Sequence, residues 1–216
     1  MMKKFEKYNE LEIIERVRKG EKALYEIIVR RFNPYLYKVG RSYNYSHEDT
    51  QDLMQDTFVD AFRALRQFGG KSGFKTWIVR IMLNNCYRKN RKSGFTNEVM
   101  QEINDDDMPM FNHSENDANK TILNRELGRI IEATLATIPE DYRLVFSLRE
   151  INGMNVEETA DLLDISESNV KVRLNRAKKM LRDKLETGYT SAELFDFNLI
   201  YCDAVVENVM NRIKNL

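Results

Sequence analysis

Residues Val156–Leu181 read VEETADLLDISESNVKVRLNRAKKML, a pattern that fits two helices in tight apposition. Leu162, Leu163, Ile165, Val170 and Leu174 supply an apolar seam, and Ala160 is small enough to let two helices cross closely. Asp164 falls at the turn, where a short polar residue tolerates left-handed backbone angles better than a branched one. Ser166 offers a hydroxyl as N-cap for the second helix. That helix carries Lys171, Arg173, Arg176, Lys178, Lys179 and Arg182. A basic helix held against a short helix by a tight turn is a helix-turn-helix, a shape suited to the DNA major groove.

The rest of the chain is also patterned for helices. Three prolines and nine glycines in 216 residues leave the helix-period stripes nearly unbroken, and no continuous strand pattern appears, so the fold class is all-α. A first helix ends at Gly20, and a stripe of Leu24, Ile27, Ile28 and Phe32 closes near Asn33 and Pro34. Helix resumes over Tyr35–Ser42 and again over Asp49–Phe68, whose start Ser46 or Asp49 can cap. After the loop Gly69–Gly73, a helix runs from Phe74 to about Arg91. Ser93–Asn119 holds seven acids, Pro109 and no Lys or Arg, too polar to bury a core alone, and reads as a flexible acidic linker. Helicity returns over Lys120–Thr137, breaks at Ile138–Pro139 and runs over Glu140–Glu150 to a turn at Asn152–Gly153. The sequence thus divides into two small helical domains at 5–93 and 120–186, a linker at 94–119 and a C-terminal extension at 187–216. An apolar stripe in the extension, Phe195, Leu199, Cys202, Val206, Val209 and Ile213, is expected to pack back on the second domain.

Net charge is zero, which superficially argues against a nucleic-acid protein, but the charge is segregated. Lys71, Lys75, Arg80, Arg88, Lys89, Arg91 and Lys92 form a block with no acid among them, and the helix after Ser166 is a second basic block. Two basic patches separated by an acidic tether are a local pattern that whole-chain charge conceals. Cys86 and Cys202 lie far apart without metal-ligand spacing and read as small buried apolar residues. No nucleophile–base pair, metal cluster or phosphate loop is recognisable, so neither a catalytic residue, a cofactor, a metal nor a small-molecule substrate is expected. His47 and His113 stand in loop-like stretches. The start of the chain carries no signal-peptide pattern and no apolar run spans a membrane, which makes a reducing cytoplasm the expected compartment.

Three segments together resemble one family. Asp49–Leu65, DTQDLMQDTFVDAFRAL, is similar to the polymerase-binding helix of bacterial RNA polymerase sigma factors. Phe74–Asn84, FKTWIVRIMLN, resembles the promoter-melting and −10-reading helix of their extracytoplasmic-function (ECF) group within the sigma-70 family. Leu135–Leu181 resembles that group's −35-reading domain. The resemblance runs from about Leu11 to Lys184, in order, and implies sigma region 2 in the first domain and region 4 in the second. It implies an alternative sigma factor that directs core polymerase, through its beta-prime and beta subunits, to promoter DNA. An anti-sigma factor is a further expected partner.

The resemblance also assigns surfaces. Asp52, Gln55, Asp56 and Asp60 recur at helical spacing and would meet an arginine-rich coiled coil of the polymerase. Lys71, Ser72 and Phe74 would form the pocket for a captured non-template base, with Gly69, Gly70 and Gly73 allowing close backbone approach. Lys75, Trp77, Arg80, Asn84 and Arg88 would contact the −10 element, Asn84 at its upstream edge; Trp77 also fits the core stripe of its helix. In the second domain Ser168, Asn169, Lys171, Val172 and Arg176 would read −35 bases, Arg173 would serve a phosphate or an intramolecular acid, and Arg149 would clamp the DNA backbone. Asp105, Asp106 and Asp107 of the linker would mimic phosphates in the polymerase cleft. The alternative is a stand-alone helix-turn-helix regulator, which leaves the first basic block and the acidic helix face unexplained.

Overall fold

The computed structural model describes residues 9–92, 131–184 and 199–214, all helices and turns with no strand among the described residues. The linker acids Asp105–Asp107, the helix expected before residue 131 and Phe195 of the extension lie outside them. Two compact units emerge. The first takes in residues up to Tyr37, Glu48–Gly94 and Leu199–Leu216, and the second takes in Lys38–His47 and Phe95–Asn198.

In the first unit, α1 (Glu10–Arg18) starts at Asn9, whose side chain accepts from the Leu11 amide at 3.1 Å. It ends before Gly20, which adopts a φ of 106°. A 3-10 turn, Lys22–Leu24, leads into α2 (Tyr25–Arg41), whose residues from Lys38 on count with the second unit. Here the structure corrects the sequence reading: α2 is one helix with Pro34 inside it, not two helices meeting there. Proline removes one backbone donor, yet Phe32, Asn33, Leu36 and Tyr37 on either side are all buried, and that packing outweighs the lost bond. Next come α3 (His47–Arg63), a 3-10 turn at Leu65–Gln67 and α4 (Phe74–Lys92). Expected as one helix to Phe68, the α3 segment therefore ends five residues early. The core is rich in aromatics: Tyr25, Phe32, Phe58, Phe68 and Phe74 are buried. Tyr25 lies edge-on to Phe62 at 5.1 Å and donates its hydroxyl to the Phe58 carbonyl at 2.8 Å, and burial pushes that hydroxyl's pKa up.

The second unit contains a helical stretch at 131–136, then α5 (Glu140–Phe146), which widens into a π-helical turn, Ser147–Ile151. After Gly153 (φ 63°) come α6 (Val156–Leu163) and α7 (Glu167–Lys184). One apolar cluster joins Val145, Ala160 and Val170, with Val156, Leu163, Ile165 and Leu174 packed around them. Ile131, Leu135, Ile138, Leu144, Phe146 and Leu148 are buried as well. A buried arginine ties the backbone together. Arg143 donates to the carbonyls of Ser42 and Ile138, both at 2.5 Å, and of Ala136 at 3.1 Å. Burial lowers its pKa, opposed by Glu140, whose own carboxyl burial raises. Arg41 and Glu132, both largely buried, form an ion pair in the same unit.

The C-terminal extension overturns another expectation. Its helix, α8 (Leu199–Lys214), belongs to the first unit and not the second, and it meets the Lys22–Leu24 turn. Val205, Val206, Val209 and Ile213 are buried, and Arg212 pairs with Asp56 of α3 at 2.7 Å. Burying each aliphatic side chain is worth roughly 1.5–3 kcal/mol at most, whereas an exposed ion pair contributes about 0–1 kcal/mol. The stripe therefore anchors α8 and the pair orients it.

Candidate nucleic-acid interface

Every sequence-identified acid of the first unit lies on α3, but they divide into two kinds. Asp52 is exposed and Gln55 half-buried. Asp56 is exposed and holds Arg212. Asp60, by contrast, belongs to a polar seam between α3 and α4. Its carboxylate accepts from Asn85 Nδ2 at 3.3 Å and faces Arg88 at 3.5 Å and Arg63 at 3.8 Å. Asn85 is buried, donates also to Thr57 Oγ1 at 3.1 Å, and accepts from Arg88; Thr57 in turn donates to the Leu53 carbonyl at 2.7 Å. A second cross-helix pair, Lys89–Asp49, closes the seam. Asp60 and Arg88 thus hold the two helices in register, a role the sequence reading missed because these partners lie 25 or more residues apart.

The basic helix α4 presents a continuous outer stripe. Arg80, Asn84, Tyr87, Arg88 and Arg91 recur every three or four residues and all are exposed. Tyr87 is 58% exposed, with the Arg91 guanidinium 5.9 Å from its ring centre. An exposed aromatic among cations is the composition that stacks an unpaired base and tracks phosphates. The loop before α4 leaves Lys71 and Ser72 exposed. Lys75 is half-buried with its ammonium 4.1 Å from the Tyr35 ring. Phe74 is different: it is 1% exposed, within 5.3 Å ring to ring of Phe32, Phe68 and Trp77. Its face is spent in the core, so it is the floor of the loop and not a stacking surface. Trp77 packs on the same cluster and keeps part of its surface in solvent. Arg18 was not anticipated from sequence. It donates to the carbonyls of Leu65 (2.8 Å) and Phe68 (2.5 Å), so α1 fixes the turn from which the glycine loop departs.

In the second unit the helix-turn-helix forms as its sequence pattern requires. Asp164 stands in the left-handed region, at φ 53° and ψ 48°. The amide of Asn169 donates to Ser166 Oγ at 3.2 Å, capping α7. Asn155 adds a capping box to α6: its side chain accepts from the Glu158 amide at 2.8 Å while Glu158 accepts from the Asn155 amide at 3.0 Å. Both α5 and α6 pack on α7. Acids on neighbouring segments engage two cations of α7, Asp141 with the half-buried Arg173 at 3.1 Å and Glu150 with the exposed Lys178 at 3.0 Å. Arg173 also holds the Asn169 side chain at 3.1 Å, so both residues serve the fold. Arg149 donates to the Met154 carbonyl across the turn.

What stays outward on α7 is a second stripe: Ser168, Lys171, Val172, Asn175, Arg176 and Lys179, all exposed. Val172 is 47% exposed, an apolar side chain among polar ones. Arg176 is steadied by the Tyr142 hydroxyl at 3.2 Å. Asn175 was missed at the sequence level, though its spacing from Lys171 and Val172 puts it on their face. Arginine and lysine can pair with guanine edges, asparagine with adenine, and an aliphatic group can meet a thymine methyl, so the stripe has the chemistry that base edges accept. Among the described residues no group of acids, histidines and cysteines could hold a metal ion, and no helix is long and apolar enough to cross a membrane.

Both stripes fall in segments with known relatives. Residues 28–96 match the sigma-70 region 2 family, and residues 128–181 match sigma-70 region 4. An ECF RNA polymerase sigma-E factor of Haemophilus influenzae is 27% identical over 178 residues, 81% of this chain and 94% of that protein. The protein of the same name from Escherichia coli K12 is 29% identical over 179 residues, 81% of this chain and 93% of that protein. Among solved structures, CnrH in complex with the cytosolic domain of CnrY superposes with a TM-score of 0.59 at 25% identity, covering 81% of this chain and 95% of that one. The sigma factor RpoE of Bartonella quintana, solved with the anti-sigma factor NepR, gives 0.56 at 20% identity, covering 81% and 99%, and shows the shared fold. With both diagnostic regions present in order, the chain belongs to the ECF group of the sigma-70 family.

Proposed function

We propose that the chain is an alternative sigma factor: it brings core RNA polymerase to a specific set of promoters, helps to melt them and starts transcription. The observation that carries this reading is the pair of outward stripes, Arg80–Asn84–Tyr87–Arg88–Arg91 on α4 and Lys171–Val172–Asn175–Arg176 on α7, one in each matched region. The first has the charge and the aromatic surface for unpaired −10 DNA, with Lys71 and Ser72 beside it. The second has the side chains for duplex −35 DNA. Domains at 5–93 and 120–186 follow as functional divisions, with the acidic segment 94–119 between them. Asp52, Gln55 and Asp56 are the docking surface for a basic element of the polymerase; Asp60 is left out because the α3–α4 seam uses it.

The chain performs recognition and no chemistry of its own, and works in the cytoplasm with polymerase. The solved relative bound to an anti-sigma factor supports a regulator of that kind here. Run-off transcription with core polymerase on a promoter library tests the reading: full-length transcripts from a defined promoter class are expected. Specific retardation of duplex DNA by the chain alone, with no transcript when core is added, would instead make it a stand-alone regulator. Replacing Asp52 and Asp56 together by alanine should weaken core binding and leave DNA binding by the second unit intact.

A further inference from the structure

We propose that α8 occupies part of the polymerase-docking surface of α3 and must be displaced when core polymerase binds; this rests on the reading of that surface given above. The C-terminal helix lies outside both matched regions, which end at residues 96 and 181. It is held by the buried face of Val205, Val206, Val209 and Ile213 and brings Arg212 within 2.7 Å of Asp56. Arg212 therefore makes to Asp56 the contact that a basic polymerase element would make: a guanidinium on a carboxylate, the geometry that charge-assisted pairing favours. Cover is partial. Asp52, one helical turn before Asp56, remains exposed, so a basic partner can engage Asp52 first and exchange its own cation for Arg212. A surface occupied for part of the time binds with its affinity reduced by the open fraction.

Equilibrium binding to core polymerase of the full chain, measured by fluorescence, tests this against the variants Arg212→Ala, Arg212→Glu, Lys214→Ala and a chain ending at residue 198. The arginine variants should bind core about two- to fivefold more tightly, the range an exposed ion pair allows. The truncated chain should gain at least as much. Lys214→Ala removes the same charge from a residue whose ammonium faces Asn211 at 3.5 Å, and its affinity should stay unchanged. Truncation exposes an apolar face and can cost folding, so hydrogen exchange on the intact chain supplies an independent readout: α8 amides should lose protection when core is added. Unchanged affinity in both Arg212 variants together with retained α8 protection would overturn the proposal, as would an equal gain in Lys214→Ala. Asp52→Ala, which leaves the Arg212–Asp56 pair intact, separates the two levels. If it weakens core binding while the Arg212 variants change nothing, displacement alone is wrong; if it has no effect, the docking surface is wrong as well.

Discussion

The two units display a basic helix by different means. In the first, α4 rests on an aromatic core, and acids of α3 meet its cations across a polar seam, Asp49 with the half-buried Lys89 and Asp60 with Arg88, which stays exposed. In the second, α7 buries Val170, Ala177 and Leu181, and further order comes from capping, a left-handed turn and the buried guanidinium of Arg143. Backbone groups buried at the turn that aims a helix must be satisfied there, by caps or by a buried donor such as this guanidinium. In both, pairs with acids on other helices help to order the basic helix while its outer stripe stays exposed.

This contrast can be broken most forcefully at Phe74. Phe74→Ala should destabilise the first unit by about 3–5 kcal/mol, read in chemical denaturation; loss of promoter opening with unchanged stability would return Phe74 to a base-stacking role. Next comes Arg143→Met, which keeps volume but strips three carbonyls of their donor. A loss of about 3 kcal/mol is expected, appearing as a lower melting temperature of the second unit; a neutral result would mean that its aliphatic cluster suffices. Arg176→Ala should leave stability intact and cost ~1–3 kcal/mol of binding at one −35 position, measured by competition among single-base variants. Uniform weakening across sequences would make Arg176 a phosphate contact. Smallest is Asp60→Asn, expected to lower stability by about 1 kcal/mol or less and to leave polymerase affinity unchanged, in contrast to Asp56→Ala.

Much of this was legible before any coordinates. Helical periodicity is a local property, so α1, α4, α6 and α7 could be placed nearly to the residue, and Asp164 and Ser166 mark their turn through chemistry confined to a few neighbours. Errors fell where the deciding partner is remote. Pro34 reads as a break, but burial on both sides keeps α2 whole. Spacing could not show that Phe74, read as part of a base pocket, also packs against Phe32, Phe68 and Trp77. Asn175 could have been found from spacing alone.

The sequence by itself determined the all-helical class, the helix-turn-helix and the two basic blocks, because each follows from residue spacing along one helix or turn. Which charges remain available was decided only by the tertiary structure. Asp60, Lys89 and Arg173 are drawn into pairs by partners on other helices, and Arg212 reaches Asp56 from 156 residues away. Ion pairing depends on distance in space, and that distance exists only once the apolar faces have packed.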